Sequence, residues 1–510
     1  MKTKMEKIRN AYRNAPALFS LLLALALIVT TVAIYFGIGL LPRSARVYDN
    51  TSNGLYTLHE ETLKLLSELN CDVEIIMVSE SGIPDYGVTE VLLKSYAERS
   101  SHLKLTFSDP TSLFAEYGTL TEGCAVVRGE ARETVVYSSD YFDVSEEAFN
   151  VSYNYYYYLT QQGYNLGSYA DFMYSGYAES LGLFDIARYQ STLTNAIRYV
   201  ASNDVTLIYT LTDHGEVLPD AYLYPELRLG NTELTFGKLS DGIPDGVDGV
   251  LINDPTSDLT AEDRNTLSEF LSGGGKLTLV TSYVNIKNLP NLLSVCEEYG
   301  LTTDGGFLCE DDKAYNYNEY QMVTVPTVNT EALGGYLRQE GVKPLITGGT
   351  GITIADKEGI TSVSLLTTSA NAYSKQDAEK EGTTAVFNEE TDERKQYSVA
   401  ALAKNNANGS SVLWIPTFTL GDSQYETASS RNNFPVFIAV LGTQYSSDMP
   451  IEIEEISLSL EPLSPPDAAF PVGMVIAIAL PCLIVTAGAV LVIKRRNRVY
   501  KPTLNDDEGE

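Results

Sequence analysis

GVLINDPTSDLTAEDRNTLSEFLSGGGKLTLVTS, from Gly249 to Ser282, decides the fold class of this chain. Gly249 to Asn253 is a short apolar run closed by the turn pair Asp254-Pro255, so it reads as a strand. Thr260 then stands as helix N-cap with Asp263 at the third helical position, the spacing of a capping box. Leu267, Phe270 and Leu271 form one apolar stripe, Gly273, Gly274 and Gly275 stop the helix, and Leu277 to Ser282 is the next strand. A strand, a crossover helix and a second strand predict parallel pairing, because only a long connection returns the chain in the same direction.

Working outward, Leu193, Ala196, Ile197 and Val200 share one helical face just before the strand VTLIYT at Val205 to Thr210, and SVLWIPTF at Ser411 to Phe418 is a core strand holding the only tryptophan. These elements make a module over 186–445. An earlier module over 47–145 opens with Thr57 before LHEETLKLLSEL, where Glu60 completes a capping box and Leu58, Leu65, Leu66 and Leu69 line one face. It continues with the strand VEIIMV at Val73 to Val78, a helix around Val91, Leu92 and Tyr96, the strand LKLTF at Leu103 to Phe107 and a hairpin from Cys124 through Thr134. Between the modules, 146–185 is a tyrosine-rich linker or insertion, and 446–469 is a juxtamembrane linker.

Two uncharged stretches bracket the modules. Ala17 to Leu41 is long enough to cross a hydrocarbon core of about 30 Å as a helix. Its flank holds Lys2, Lys4, Lys7, Arg9 and Arg13 against Glu6, which predicts a cytoplasmic N-terminus over 1–16. A cleaved signal peptide is the alternative, but its apolar part spans only about 7 to 15 residues. Phe470 to Ile493 is followed by Lys494, Arg495, Arg496 and Arg498, a stop-transfer flank that keeps the 494–510 tail inside. The expectation is a two-pass cell-membrane protein with both termini cytoplasmic, its large domain extracytoplasmic and the lipid bilayer a partner.

The chain carries 35 Lys plus Arg against 67 Asp plus Glu, a net charge of -32. That balance opposes a phosphate backbone, so nucleic acid is excluded as a partner. The acidity lies in the ectodomain and reads either as solubility or as attraction for cations or a basic partner. Five cysteines without a Cys-x-x-Cys exclude a disulfide scaffold and a zinc ribbon. Cys296 and Cys309 are close enough in sequence for a bridge, which the sequence leaves open, and Cys296 reads as a buried structural thiol on a helix. The acidic run Glu310-Asp311-Asp312 lacks calcium-loop spacing and reads as solvated.

Chemistry is sparse. The chain has no Gly-x-x-x-x-Gly-Lys-Ser/Thr, so any ATPase is another chain. Thr281 and Ser282 end the strand where a nucleophile elbow would carry a cysteine. His214, one of three histidines, follows a strand end with Asp213 and Glu216 beside it, at the edge where open α/β sheets place ligands. One histidine and one carboxylate fall short of a zinc set, although Asp213 or a distant carboxylate would extend it. Metal, a polar ligand or partner contact, and a turn in which His214 satisfies backbone groups all stay open, and no metal or cofactor is assigned. Asp254 lines the same crevice or caps its turn. Tyr155, Tyr156 and Tyr157, in the densest aromatic run, either dock a partner or sugar ring or pack on their own insertion.

LHEETLKLLSELNCDVEIIMV, LIYTLTDHGE, DGVLINDPTSDLTAEDRNTLSEFLSGGGKLTLV and LPCLIVTAGAVLVIKRRNR, set between two spans, resemble the GldG-like family of gliding-motility-type ABC transporter auxiliary proteins. Asp213 departs from the glycine usual in that family's turn, and Gly305 to Lys395 shows little correspondence. The resemblance implies a thioredoxin-like module without redox cysteines and a flavodoxin-like module similar to class I glutamine amidotransferases. It also implies a non-catalytic auxiliary subunit working with an ABC permease and a separate ATPase, with an extracellular or cell-envelope ligand. The alternative reading is a membrane-anchored extracytoplasmic hydrolase or carbohydrate-binding protein.

Overall fold

A computed structural model describes residues 54–79, 87–175, 177–337, 341–376, 385–445 and 450–458, with isolated positions elsewhere. Apart from such isolated positions, both expected membrane spans lie outside the described residues, and among the described residues no helix is long and apolar enough to cross a membrane. Contacts divide the chain into residues 1–58, 86–101 and 459–510 as one unit and 59–85 with 102–458 as another. In the first unit the helix Val88–Ala97 follows Gly87, and Asp49 accepts hydrogen bonds from the Tyr56 amide (2.7 Å) and the Thr57 hydroxyl (2.9 Å).

The larger unit contains the two main sheets, of four and ten strands. Its helix Glu60–Glu68 is capped by His59, whose Nδ1 accepts from the Glu61 amide at 3.3 Å. This corrects the expected Thr57 cap: the cap lies two residues later, at His59, and Thr57 is held by Asp49 instead. Strands β1 (Val73–Val78), β2 (Leu103–Ser108), β3 (Ala125–Arg128) and β4 (Glu133–Val136) form a mixed sheet in the order β2-β1-β3-β4. β1 and β2 are parallel, and the β3–β4 hairpin pairs antiparallel onto β1. The helix Tyr189–Ala201, which the sequence assigns to the later module, packs on β1, β3 and β4 as well as on the helix Leu223–Leu229. Gly129 admits it: a Cβ there would lie 2.3 Å from the Val200 carbonyl oxygen.

The second sheet has a parallel core. β5 (Thr206–Leu211), β6 (Thr232–Gly237), β7 (Gly249–Asn253) and β8 (Lys276–Val280) pair in parallel in the order β6-β5-β7-β8. Later come β9 (Leu301–Thr303), β10 (Ile352–Ile354), β11 (Ile360–Thr367), β12 (Ser398–Asn405) and β13 (Ser411–Ile415). β13 lies parallel beside β8, and β9 to β12 extend that edge antiparallel. Counting the parallel strands alone gives 2-1-3-4-5, the order of an open doubly wound sheet.

Both faces of this sheet are covered, which is why its strands read as continuous apolar runs rather than alternating ones. Val250, Ile252, Leu277, Leu279, Val412 and Trp414 face Leu267 and Leu271 of the crossover helix Ala261–Ser272. Leu251, Val280, Leu413 and Ile415 alternate to the other face, against Phe437, Val440 and Leu441 of the helix Asn433–Tyr445. Cys296 and Cys309 are both free and buried, in separate apolar clusters. Burial pushes both thiols upward, Cys309 to about 12, against thiolate chemistry. Glu310 corrects the expectation of a solvated acidic run: it is fully buried, accepting from the Ser369 amide (3.0 Å) and hydroxyl (2.8 Å).

Leu267 has no exposed surface and lies at the centre of the crossover packing. Leu267→Ala is expected to destabilise the protein by about 2–5 kcal/mol, read as a lower urea midpoint in the fluorescence of the single tryptophan.

Candidate functional site

Two strand ends meet where the strand order reverses, between β5 and its neighbour β7, and ligands of open α/β sheets bind in this crevice. β5 delivers Asp213, His214, Gly215 and Glu216, while β7 delivers Asp254 through Ser257. The His214 carbonyl accepts from the Thr256 amide (3.1 Å), the Ser257 amide (3.0 Å) and the Ser257 hydroxyl (2.9 Å). The Val217 amide donates to the Asn253 carbonyl at 2.8 Å, and Asn253 Nδ2 returns a bond to the Val217 carbonyl at 2.8 Å. The two loops thus fasten to each other across the switch point.

Gly215 makes the turn sharp enough for this. Its φ is +73°, and a Cβ there would lie 2.1 Å from Thr256 Oγ1. The turn folds the side chains of Asp213, His214 and Glu216 together. His214 is 6% exposed, and its Nδ1 lies 3.1 Å from Asp213 Oδ1 and 3.6 Å from Glu216 Oε1. Its Nε2 lies 3.2 Å from Asp263 Oδ2. Each carboxylate is itself anchored. Glu216 Oε2 accepts from the His214 amide (2.8 Å), and Asp213 accepts from the amides of Leu239 and Ser240 (3.2 Å each). Asp263 completes the capping box with Thr260 expected from the sequence.

The electrostatics follow from this arrangement. Glu216 facing the ring raises the His214 pKa to about 9, burial opposes that, and Asp213 and Asp263 add to the rise. Asp213 is pushed up by burial but held below the usual carboxylate range by its backbone hydrogen bonds from Ser240 and Leu239. Asp254 is buried with φ +48°, and its carboxylate accepts from Asn285 Nδ2 at 3.1 Å instead of joining the histidine. The structure therefore brings together Asp213, His214 and Glu216, adds Asp263, and keeps Asp254 as a turn residue. At the next strand end, Thr281 is fully buried and its hydroxyl accepts from Trp414 Nε1 at 3.0 Å.

The tyrosine run forms the helix Glu146–Gln161, followed by Tyr169–Tyr174 and Tyr177–Ser180. Tyr155 and Tyr156 pack against a small core of Phe149, Tyr169 and Phe172, and Tyr156 donates to the Gly167 carbonyl at 2.8 Å. Tyr157 and Tyr158 are each 57% exposed. Beside this insertion opens a cavity of about 1010 Å³, walled by Phe149 and Tyr169, by Tyr222 and Phe434 of the second module, and by the segment Ile451 to Glu455. Tyr155, Tyr156 and Tyr157 are not among its lining residues.

The cavity's charges come from distant parts of the sequence, so no local motif announced them. Arg188 meets Asp143 (3.2 Å), Glu455 (3.4 Å) and Glu226 (3.7 Å), and Arg431 pairs with Asp143. Ser430 and Arg431 both have positive φ, 53° and 66°, so the loop presenting Arg431 is held in an uncommon backbone state. Beside them burial raises Glu426 to about 8, although its Oε2 accepts from the Phe434 amide at 2.7 Å.

No protein-family model matches the chain, and no curated protein matches it. Among solved structures, the chain is similar to one described as "mmIFT52 N-terminal domain", at 16% identity over 48% of this chain and 100% of that one, with TM-score 0.36. A ThuA-like protein from Bacteroides uniformis follows at 12% identity, 48% and 94% coverage and TM-score 0.31. A β-galactosidase from Rahnella sp. R3 is similar at 15% identity, over 52% of this chain and 35% of that one, with TM-score 0.27.

Two outcomes follow from these geometries. Gly215→Ala is expected to lower stability by about 1–3 kcal/mol, since the added methyl meets Thr256 at a φ it disfavours; thermal unfolding of the variant checks this. Glu426, with a folded pKa of about 8 above its ordinary 4.5, stabilises in its neutral form. That contribution is complete below the ordinary value and is lost as pH rises through about 8. Urea midpoints are therefore expected to fall as pH rises from about 4.5 to about 8, and to fall less over that window in Glu426→Gln, which keeps the acceptor for Phe434.

Proposed function

We propose that this chain is a non-catalytic, membrane-anchored auxiliary subunit of an ABC transport complex, with both termini cytoplasmic and an extracytoplasmic domain that binds a substrate or partner. The single observation that carries the binding role is the aromatic and charged cavity of about 1010 Å³, a volume in the range of ligand sites. One wall of it, Ile451 to Glu455, belongs to the segment that runs on toward the uncharged stretch Phe470 to Ile493. The Asn195 side chain clasps Ile451, accepting from its amide (2.8 Å) and donating to its carbonyl (3.0 Å), and Ile456–Ser457 pairs with Ile186–Ala187. A ligand that changes this wall would act on the chain leading to the anchor, which is what an accessory subunit relaying movement requires.

Support for a non-catalytic role comes from the switch point. Its loops are fastened to each other, His214 is enclosed by carboxylates, and Thr281 is buried at the strand end where an amidotransferase-like module would hold its nucleophile. The flavodoxin-like and thioredoxin-like readings belong to the same proposal, supported by the strand orders 2-1-3-4-5 and 2-1-3-4. A carbohydrate ligand is the second reading, favoured by Phe149, Tyr169 and Tyr222 in the cavity wall beside paired carboxylates and guanidinium groups. The test is purification of the full chain from its native membrane in mild detergent. A multi-span permease and an ATPase are expected in the eluate, and recovery of the chain alone in repeated preparations would sink the transport reading.

A further inference from the structure

We propose that Asp213, His214 and Glu216 form a site for a divalent transition-metal ion of zinc's ligand preferences, buried at the switch point between β5 and β7. The argument begins with the hydrogens of the ring. Asp263 sits within its own capping box, and as a carboxylate it can only accept; the His214 Nε2 facing it at 3.2 Å therefore carries a hydrogen. That leaves Nδ1 pointing toward two further carboxylates. Neither Nδ1 nor Glu216 Oε1 has a hydrogen-bond partner of acceptable geometry, although His214 is 6% exposed and the Glu216 side chain 0%. Two orphaned buried polar atoms facing each other cost more than either would alone in water, unless a cation lies between them.

The spacing fits a metal. Tetrahedral zinc with bonds of about 2.0–2.2 Å to nitrogen and oxygen holds its ligand atoms roughly 3.3–3.6 Å apart. Nδ1 stands 3.1 Å from Asp213 Oδ1 and 3.6 Å from Glu216 Oε1, and one ligand atom from each of the three residues falls within 4.8 Å of the others. The surroundings match a metal site's outer shell as well. Asp263 on the far ring nitrogen fixes tautomer and ring orientation, the backbone amides of Leu239 and Ser240 hold Asp213, and the His214 amide holds the second oxygen of Glu216. One imidazole with two carboxylates suits zinc and its first-row neighbours better than calcium, which takes six to eight oxygens. This site does not rest on the transport reading, and either can fail alone.

The experiment uses the full chain in detergent, stripped with EDTA, dialysed against Zn²⁺ and then against metal-free buffer, with retained zinc measured by mass spectrometry. The wild type is expected to keep about one zinc per chain, as is Glu262→Gln, which removes a nearby carboxylate outside the set. His214→Gln and Glu216→Gln are expected to lose at least tenfold in affinity. Glu216→Gln preserves side-chain shape and the acceptor for the His214 amide, and tryptophan fluorescence reports that each variant is folded. Co²⁺ in place of zinc is expected to give visible d–d bands of low coordination number in the wild type and Glu262→Gln but not in His214→Gln or Glu216→Gln. If folded wild type retains no more zinc than His214→Gln, or if Glu216→Gln retains as much as the wild type, the proposal is overturned. The cation between the carboxylates is then a proton on Nδ1.

Discussion

The carbonyl oxygen of His214 accepts three hydrogen bonds from the loop that follows β7, and the architecture of the switch point depends on this one acceptor. Parallel strands of an open sheet diverge at the point where their order reverses, and the gap between their ends is ordinarily free for a ligand. Here the Thr256 and Ser257 amides are spent on the neighbouring loop instead. Gly215 makes it feasible, because only a residue without a side chain passes Thr256 at that distance. Once the two loops are joined, Asp213, His214 and Glu216 have no freedom to spread. Their charges are then confined within a space largely closed to water.

The second polar centre is built differently. Arg188 gathers Asp143, Glu226 and Glu455, three carboxylates from segments far apart in the chain, and Arg431 joins at Asp143. It lies along a cavity where the tyrosine-rich helices, the second module and the segment Ile451 to Glu455 come together. Partly buried ion pairs of this kind contribute little net stability, since desolvation and solvent screening offset most of the Coulomb gain. Their effect is to fix which segments meet. The insertion meanwhile stabilises itself through edge-to-face rings, such as Phe149 with Tyr169 at 5.4 Å, so it serves as a wall as well as an exposed tyrosine face.

Much of the local structure was legible from residue order. The capping box of Thr260 and Asp263, the glycines after Ser272 and the apolar stripe of Leu267 and Leu271 act within a few residues, and the structure forms them where they were expected. Legibility ended where a residue had two competing partners. Thr57 carries a valid cap signature for the next helix, yet Asp49 engages its hydroxyl and His59 caps that helix. Glu310 reads as one of three solvated acids, yet two bonds from Ser369 repay its burial. Tyr189–Ala201 has the right pattern for a helix before β5, but its pattern says nothing of the first sheet on which it also packs.

The sequence by itself determined the mixed α/β class, the parallel unit around Gly249 to Ser282, the placing of His214 at a strand end, and the charge balance that opposes nucleic acid. These depend on periodicity, caps and composition, which are local or summed properties. Only the tertiary structure decided that Asp213, His214 and Glu216 converge while Asp254 turns to Asn285, that Asp263 reaches the same ring, and that Arg188 anchors a cavity. Those arrangements depend on which strand ends and loops are brought together across tens to hundreds of residues. No spacing along the chain encodes that distance, because it is set by strand order and by packing on both faces of the sheet.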